Sequence, residues 1–331
     1  FFFHADDCIR AQPRSRWLGD VYKRQHLVYA SYYNHHLCLP ERLQMTDIIV
    51  PRDPDRLSWE MTLPEVLEIA VARSPNKVFV EIGEVKLTYH QFQRLASQTA
   101  SMFRSLGVQK GDRVCLLLPN TAEVLYCWFG LSMLGAICIP INTAYKRDET
   151  AFILNDCGAK AIVAHQKHLT VANEACNLSD QIEHRIAVVT DQTPPSGWID
   201  FSEFLSASDP NVSSYSISPS DACMLQYTSG TTGNPKGVLV THSMYVAVGQ
   251  GFSHWTQATC NDRFFTCLPY FHANAQYYST MGTLIIGGTL IVAERFSASK
   301  FWSQVRELFL VLVLICILIY IYIYIYIYIY C

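Results

Sequence analysis

The residues best suited to chemistry lie in one short stretch, Tyr227–Gly237, which has the sequence YTSGTTGNPKG. It holds four aliphatic hydroxyl groups, three glycines and one lysine, Lys236. Such a loop offers backbone N–H groups, hydroxyl donors and one positive charge to phosphate oxygens. It is not a Walker A loop, because Pro235 precedes the lysine and Gly237 follows it. A flexible Ser/Gly turn is the plainer alternative, but it leaves Pro-Lys-Gly unexplained. The stretch therefore predicts a phosphate-binding loop.

The loop is predicted to lie within a series of alternating strands and helices. The apolar run Ala222–Tyr227 favours a strand before the loop. A helix is expected from about His242, which would help to start it, and its N-terminal dipole would then add to the loop. Further strands are expected at 113–118, 136–140, 159–164, 263–268 and 288–292, and helices at 121–134, 147–157 and 275–286. Strands that are apolar throughout indicate a parallel sheet covered on both faces, an α/β fold with αβα layers.

The segments before this alternation carry recognisable start and stop signals. Thr62 and Glu65 form a capping box that opens a helix to about Arg73. Two short apolar runs flanking Gly83 favour a hairpin, and a helix from about Tyr89 to Leu106 should end at Gly107. The Ser-, Pro- and Asp-rich stretch 191–220 is interpreted as a surface linker or loop.

Composition excludes several classes of function. Half of the 331 residues are apolar, and the net charge of −3 provides no basic field, so we expect no nucleic-acid partner. The twelve cysteines are scattered without any C-x-x-C, so metal-ligand spacing is absent and a reducing compartment is favoured. Cytoplasmic localisation is the resulting expectation.

The two ends differ from the middle. Residues 1–44 precede the first Met and are interpreted as a non-native or disordered leader, and residues 45–307 as the protein domain. Leu308–Cys331 contains no charge and is long enough to span a bilayer, but six Ile-Tyr pairs alternate with the period of a strand. A TA dinucleotide repeat encodes this dipeptide, so translated non-coding repeat is the preferred interpretation. A genuine membrane anchor, with membrane association of the protein, is the alternative.

At the phosphate-loop motif the sequence resembles the adenylate-forming enzymes, which comprise acyl- and aryl-CoA synthetases, luciferases and peptide-synthetase adenylation domains. Gly107–Asn142 looks like the N-terminal region of that family, and LPYFHANAQ (Leu268–Gln276) is similar to its next motif. The stretch through Glu294–Arg306 looks most similar to crotonobetaine/carnitine-CoA ligases and related fatty-acid ligases. The resemblance covers about residues 57–307 and implies the first part of the family's large N-terminal AMP-binding domain.

The resemblance also implies a reaction and its residues. A small carboxylic acid attacks the α-phosphate of MgATP to form an acyl-adenylate, and the thiol of coenzyme A then displaces AMP. Lys236 and His272 are the implied catalytic residues, and Thr232 is the implied Mg²⁺ ligand. The implied ATP-binding residues are Thr228, Ser229, Gly230, Thr231, Thr232, Gly233 and Lys236. A packed core histidine is the alternative for His272. His254 and Trp255 would line the acyl pocket or take part in ordinary helix packing.

The family's later motifs, which hold the adenine and ribose and supply a catalytic lysine, are not found before the Ile-Tyr tail. The chain is therefore expected to be an incomplete and inactive fragment of an acyl-CoA synthetase. An aryl-CoA ligase or a peptide-synthetase adenylation domain is one alternative. A non-catalytic, membrane-tethered short product is the other.

Overall fold

The computed structural model describes residues 57, 59–210, 216–228, 235–299, 301, 303 and 304. Its α-helices are α1 (Leu63–Arg73), α2 (Tyr89–Ser105), α3 (Ala122–Leu134), α4 (Arg147–Asp156), α5 (Leu169–Cys176), α6 (Phe201–Ser206), α7 (His242–Thr256) and α8 (Met281–Ile286). A 3₁₀ turn, Gln166–His168, precedes α5, and a π-helical turn, Ala275–Thr280, runs directly into α8. The leader 1–44 and the tail 308–331 lie outside the described residues, so both interpretations stay predictions.

A seven-stranded sheet forms the centre of the described part. In order across the sheet its strands are β7 (Ile199–Asp200), β6 (His184–Val188), β5 (Ala161–His165), β3 (Arg113–Leu117), β4 (Ile137–Pro140), β8 (Ala222–Thr228) and β9 (Lys236–Thr241). Every neighbouring pair is parallel except β8 and β9, which are antiparallel.

Alternate side chains of the central strand β3 enter two different cores. Val114 and Leu116 join a buried cluster with residues of α1, α2, α3, α7 and α8, whereas Cys115 and Leu117 join a second one with residues of α4 and α5. Helices therefore cover both faces, as expected where parallel strands are buried on two sides. The predicted parallel-sheet α/β body is confirmed.

A second sheet of four strands packs on the first cluster. Its order is β10 (Arg263–Thr266), β11 (Thr289–Val292), β1 (Val78–Ile82) and β2 (Val85–Thr88). The predicted hairpin β1–β2 is present, but β1 also pairs in parallel with β11, with Val80 opposite Leu290. Lys77 Nζ and Tyr89 Oη, which flank the hairpin, donate to the carbonyl oxygens of Gly287 and Gly288 at 2.7 and 2.8 Å.

The helix signals in the sequence act as predicted. Thr62 and Glu65 form a reciprocal capping box at α1, and Gly107 has a φ of +76° just beyond α2. Gly130 permits the close crossing of α2 and α3, because a Cβ there would lie 2.8 Å from the carbonyl oxygen of Ala96. The interpretation of residues 191–220 as a surface linker or loop is partly wrong. This stretch contains β7 and α6, and Phe201 within it is buried. No helix among the described residues is long and apolar enough to cross a membrane.

Candidate functional site

The phosphate loop closes a β-hairpin. Thr228, the last residue of β8, is paired in register with Lys236, the first residue of β9, and both are exposed. The Thr228 hydroxyl donates to the Lys236 carbonyl oxygen at 3.4 Å. The candidates between them, Ser229, Gly230, Thr231, Thr232 and Gly233, lie outside the described residues. The structure thus places two of the predicted phosphate ligands, Thr228 and Lys236, opposite each other across the hairpin.

The predicted helix start near His242 is confirmed, but the expectation that its N-terminal dipole adds to the loop is wrong. The β-branched run after Lys236 forms strand β9, and α7 begins only at His242. An antiparallel strand runs back from the hairpin tip, and six residues extend it by about 17 Å. The N-terminus of α7 therefore lies at the far end of β9, too far from the loop for its dipole to act there.

His242 starts α7 as expected, but its side chain has a second role. Its ring is fully buried, and Nδ1 accepts a hydrogen bond of 3.2 Å from the backbone N–H of Leu63, the first residue of α1. Burial lowers the pKa of His242 to about 4, against the opposing influence of Asp221 and Glu65. His242 is a neutral acceptor that holds two helix starts together.

The strand before the loop is held by Tyr227. Its hydroxyl donates to Asp156 Oδ2 at 2.5 Å, which ties the end of β8 to the last residue of α4. Partial burial, with the hydrogen bond to Asp156, raises the pKa of the Tyr227 hydroxyl well above its usual value. Tyr227 therefore remains a protonated donor.

The second candidate motif, Leu268–Gln276, follows β10 and is fixed by Asn120, which sequence reasoning missed. Asn120 lies beyond the carboxyl end of β3 and is 4% exposed. Its Nδ2 donates to the carbonyl oxygens of Leu268 and Ala293, both at 3.0 Å, and its Oδ1 accepts from the N–H of Tyr270 at 3.0 Å. The carboxyl ends of strands from both sheets therefore meet at this side chain.

Gln276 fixes the other end of the same motif from within the π-helical turn. It is buried, and its Oε1 accepts from Gln226 Nε2 at 2.8 Å and from the Tyr245 hydroxyl at 2.5 Å. Its Nε2 donates to the carbonyl oxygen of Tyr270. Since Gln226 lies two residues before Thr228, this network connects the phosphate-loop strand to the second motif.

His272 lies between these two fixed points and is exposed. Its backbone N–H donates to the carbonyl oxygen of Pro269 at 3.0 Å, and its ring lies 4.6 Å from that of Phe271. Partial desolvation lowers the pKa of His272 below its usual value, which favours the neutral imidazole. The core-histidine alternative is wrong, because a ring packed in the core would not reach solvent.

The other residues predicted for the acyl pocket lie near the end of α7. Trp255 is 77% exposed and His254 is half-buried, with their ring centroids 6.1 Å apart. Ordinary helix packing does not describe Trp255, which has little of its surface covered. Its placement in an acyl pocket stays a prediction.

Two further groups lie at the carboxyl edge of the strands. Lys167, two residues beyond β5, pairs with Glu294, two residues beyond β11, at 2.8 Å, and both side chains are exposed. This pair, like Asn120, joins the carboxyl ends of the two sheets. Burial, together with the charge on Lys167, lowers the pKa of His165, whose Nδ1 accepts from the Lys167 N–H at 3.2 Å.

The described groups at the tip of the hairpin suit a polyphosphate. Thr228 and Lys236 are a hydroxyl donor and a cation that face solvent at one point. Within the described ranges, no group of three or more His, Cys, Asp or Glu side chains could hold a metal ion. Thr232, the predicted Mg²⁺ ligand, lies outside those ranges.

Comparisons with known proteins identify the family of this chain. A model of the family described as AMP-binding enzyme matches residues 67–310. Crotonobetaine/carnitine–CoA ligase of Salmonella arizonae is 34% identical over 229 residues, which are 68% of this chain and 44% of that relative. The chain thus spans less than half of the length of this curated relative.

Solved structures give the same result. The anthranilate CoA ligase AuaEII, in complex with anthranoyl-AMP, superposes with a TM-score of 0.69 at 26% identity, over 75% of this chain and 48% of that chain. The N-terminal domain of FACL13 from Mycobacterium tuberculosis gives a TM-score of 0.66 at 30% identity, over 74% and 60% respectively.

Proposed function

Because this chain belongs to the family of AMP-binding enzymes, we propose that it supplies the pyrophosphate-handling residues of an ATP-dependent ligase that joins a small carboxylic acid to coenzyme A. The observation that supports this most is the pairing of Thr228 with Lys236 at the carboxyl end of β8. In α/β proteins with open parallel sheets, ligands bind at this edge.

The proposed reaction has two steps. The substrate carboxylate attacks the α-phosphate of ATP, which gives an acyl-adenylate and releases pyrophosphate. The thiol of CoA then attacks the acyl carbon and releases AMP. Negative charge grows on the leaving pyrophosphate in the first step, so preorganised donors there lower the barrier. Mg²⁺, when bound with ATP, would neutralise part of the same charge.

Two described side chains are assigned to the leaving group. The Lys236 ammonium provides a positive charge. The Thr228 hydroxyl becomes a neutral donor when it exchanges its 3.4 Å bond to the Lys236 carbonyl oxygen for a phosphate oxygen, and the hairpin register keeps the two residues adjacent. The loop residues between them, Ser229, Gly230, Thr231, Thr232 and Gly233, are proposed to complete the set. Thr232 is also proposed as the side chain that contacts the bound Mg²⁺.

His272 is proposed to act beside the carboxylate and the entering thiol. Its segment is joined to the phosphate-loop strand through Gln276 and Gln226, and its ring is exposed. A neutral imidazole, favoured by its lowered pKa, can accept a hydrogen bond from the thiol or donate one to a carboxylate oxygen.

We assign the acid substrate from the names of the relatives. One relative is named for crotonobetaine and carnitine, and one structural neighbour for anthranilate. We favour an aliphatic acid, in keeping with the relative of higher identity. An aryl acid, or adenylation without transfer to CoA, is the outcome that the choice of substrates must separate.

The test uses an extended protein, in which residues 1–310 are followed by the part of the Salmonella arizonae ligase that lies beyond the matched region. Acid-dependent exchange of labelled pyrophosphate into ATP measures the first step, and CoA-dependent release of AMP measures both. Crotonobetaine, butyrate, decanoate, benzoate and anthranilate are supplied in parallel. The original chain is tested separately for MgATP binding by calorimetry.

Lys236→Ala is expected to lower the exchange rate by roughly 10²–10³-fold, because it removes one donor to the leaving group. It should also weaken MgATP binding by the original chain.

His272→Ala should slow adenylate formation or thioester transfer and leave the melting temperature unchanged. Lys86→Ala, which removes an exposed lysine paired with Glu81, is the control. Equal exchange in Lys236→Ala and in the unaltered protein would refute the proposal.

A further inference from the structure

Asn120 has no assigned role in the reaction proposed above. It lies between Pro119 and Thr121, where β3 has ended and α3 has not begun. All three of its hydrogen bonds go to main-chain atoms, those of Leu268, Tyr270 and Ala293. Tyr270 immediately precedes Phe271 and His272, and Leu268 lies two residues before Tyr270, so Asn120 determines where that main chain runs.

The bonding pattern requires an amide side chain. One acceptor faces the Tyr270 N–H, and one NH₂ group faces two carbonyl oxygens. Aspartate has nearly the same shape but offers no donor when ionised, and it would face both carbonyl oxygens with negative charge. An apolar side chain would leave one donor and two acceptors without this partner in a buried place.

We propose that Asn120 is a positioning residue for His272, because it fixes the His272 segment to the end of β3 and therefore to the sheet that carries the phosphate loop. The proposal rests on the role assigned to His272 above. Gln276 holds the same segment from the opposite side of Tyr270. Held at both ends, the segment presents His272 in one place relative to Thr228 and Lys236.

The kinetic test is a double-mutant cycle in the extended protein. Asn120→Asp is expected to lower kcat for thioester formation by about tenfold or more, since small misplacements of catalytic groups can cost up to roughly 10² in rate. The KM for ATP should change much less. In a His272→Ala background, Asn120→Asp should have little further effect on kcat, because the two changes remove the same contribution.

The control is Asn155→Asp, since Asn155 Nδ2 also donates to a main-chain carbonyl oxygen, that of Leu178, at 3.0 Å. It should leave kcat unchanged. Should Asn120→Asp fail to fold, Asn120→Ser replaces it in the cycle. Full additivity of the Asn120 and His272 effects would overturn the proposal.

A second measurement uses the original chain and no activity. The His272 pKa is followed by NMR, together with hydrogen exchange of the Tyr270 amide. In the unaltered chain the His272 pKa should lie below its ordinary value of about 6.5. Asn120→Ser should raise it towards that value and speed exchange of the Tyr270 amide, whereas Asn155→Ser should do neither.

The outcomes separate the two proposals. An inactive extended protein with a responsive His272 pKa would refute the ligase function and retain the positioning role. An active protein in which Asn120→Ser lowers only the melting temperature, with kcat and the His272 pKa unchanged, would refute the positioning role alone.

Discussion

The two segments assigned to chemistry are held in opposite ways. The ends of the phosphate-loop hairpin, Thr228 and Lys236, are exposed, and Val238 and Leu239 on β9 are exposed as well. The segment Leu268–Gln276, by contrast, is bound by buried amide side chains at both ends. The hairpin offers groups to a ligand, whereas the second segment is fixed by the rest of the protein.

Because of this difference, we expect substitutions in the two segments to change different measured quantities. An exposed ligand-binding group contributes little to folding, so its loss should affect the reaction. A buried hydrogen-bonding group leaves unsatisfied partners when it is removed, so its loss should also affect stability.

The largest expected effect on stability comes from Gln276→Leu. This substitution leaves Gln226 Nε2 and the Tyr270 carbonyl oxygen without these partners, whereas the Tyr245 hydroxyl retains Met224 Sδ at 3.1 Å. Unsatisfied buried groups cost about 1–3 kcal/mol each, so unfolding should become easier by roughly 2–5 kcal/mol. Urea unfolding measures this. Lys236→Ala should change the free energy of unfolding by less than about 0.5 kcal/mol. Similar losses in both variants would erase the contrast.

An intermediate effect is expected from pH, through His242. Its pKa is about 4 in the folded protein and about 6.5 when unfolded, so only the unfolded state takes up a proton as pH falls through this range. Stability is therefore unaffected by this group above about pH 6.5, and falls by about 3 kcal/mol between pH 6.5 and 4.

The matched variant for this measurement is His242→Gln, which can still accept from the Leu63 N–H but does not titrate. Unfolding of both proteins in urea is followed from pH 7.5 to 4.5, with Asp221, Glu65 and Lys110 as the charged groups that influence His242. Only the unaltered protein should show the His242 loss. Parallel pH profiles in the two proteins would mean that His242 is hydrated or charged in the folded state.

The smallest effect should come from Lys167→Ala. Lys167 and Glu294 bridge the ends of the two sheets, as Asn120 does, but 59% and 62% of their side-chain surfaces are exposed. Exposed ion pairs contribute about 0–1 kcal/mol and are weakened by salt. Thermal melts at low and high salt measure it, with Arg147→Ala, from another exposed pair, as the control. A loss above 2 kcal/mol would show that exposure is a poor guide at this edge.

Local signals in the sequence predicted much of the fold. The buried strands β3, β4 and β5 were recognisable because they are apolar throughout, and α1 because Thr62 and Glu65 cap it within four residues. Gly107 was recognisable because few other residues adopt its backbone conformation. These features depend on neighbours in sequence, which a single chain displays directly.

The features that were not predicted depend on residues far away in the sequence. Asn120 forms a hydrogen bond with Tyr270, which lies 150 positions later in the sequence. Neither its residue type nor its sequence neighbours predict this bond. The strand after the loop was missed for a related reason. The helix start near His242 was predicted correctly, but Val238–Val240 was left unassigned before it, and pairing with β8 makes this run a strand. The motifs likewise identified Thr228, Lys236 and His272 as candidates, but they did not predict where these residues lie in the fold.

The pairing of β1 with β11 has a consequence for how the chain is made. Val80 leaves the ribosome about 210 residues before its partner Leu290, whereas β3, β4 and β5 emerge close together. Contacts so far apart in sequence close a long loop and form slowly. The central sheet can therefore assemble during synthesis, while the hairpin β1–β2 waits with one edge open. Until β11 emerges, that open edge is exposed to pairing with other chains.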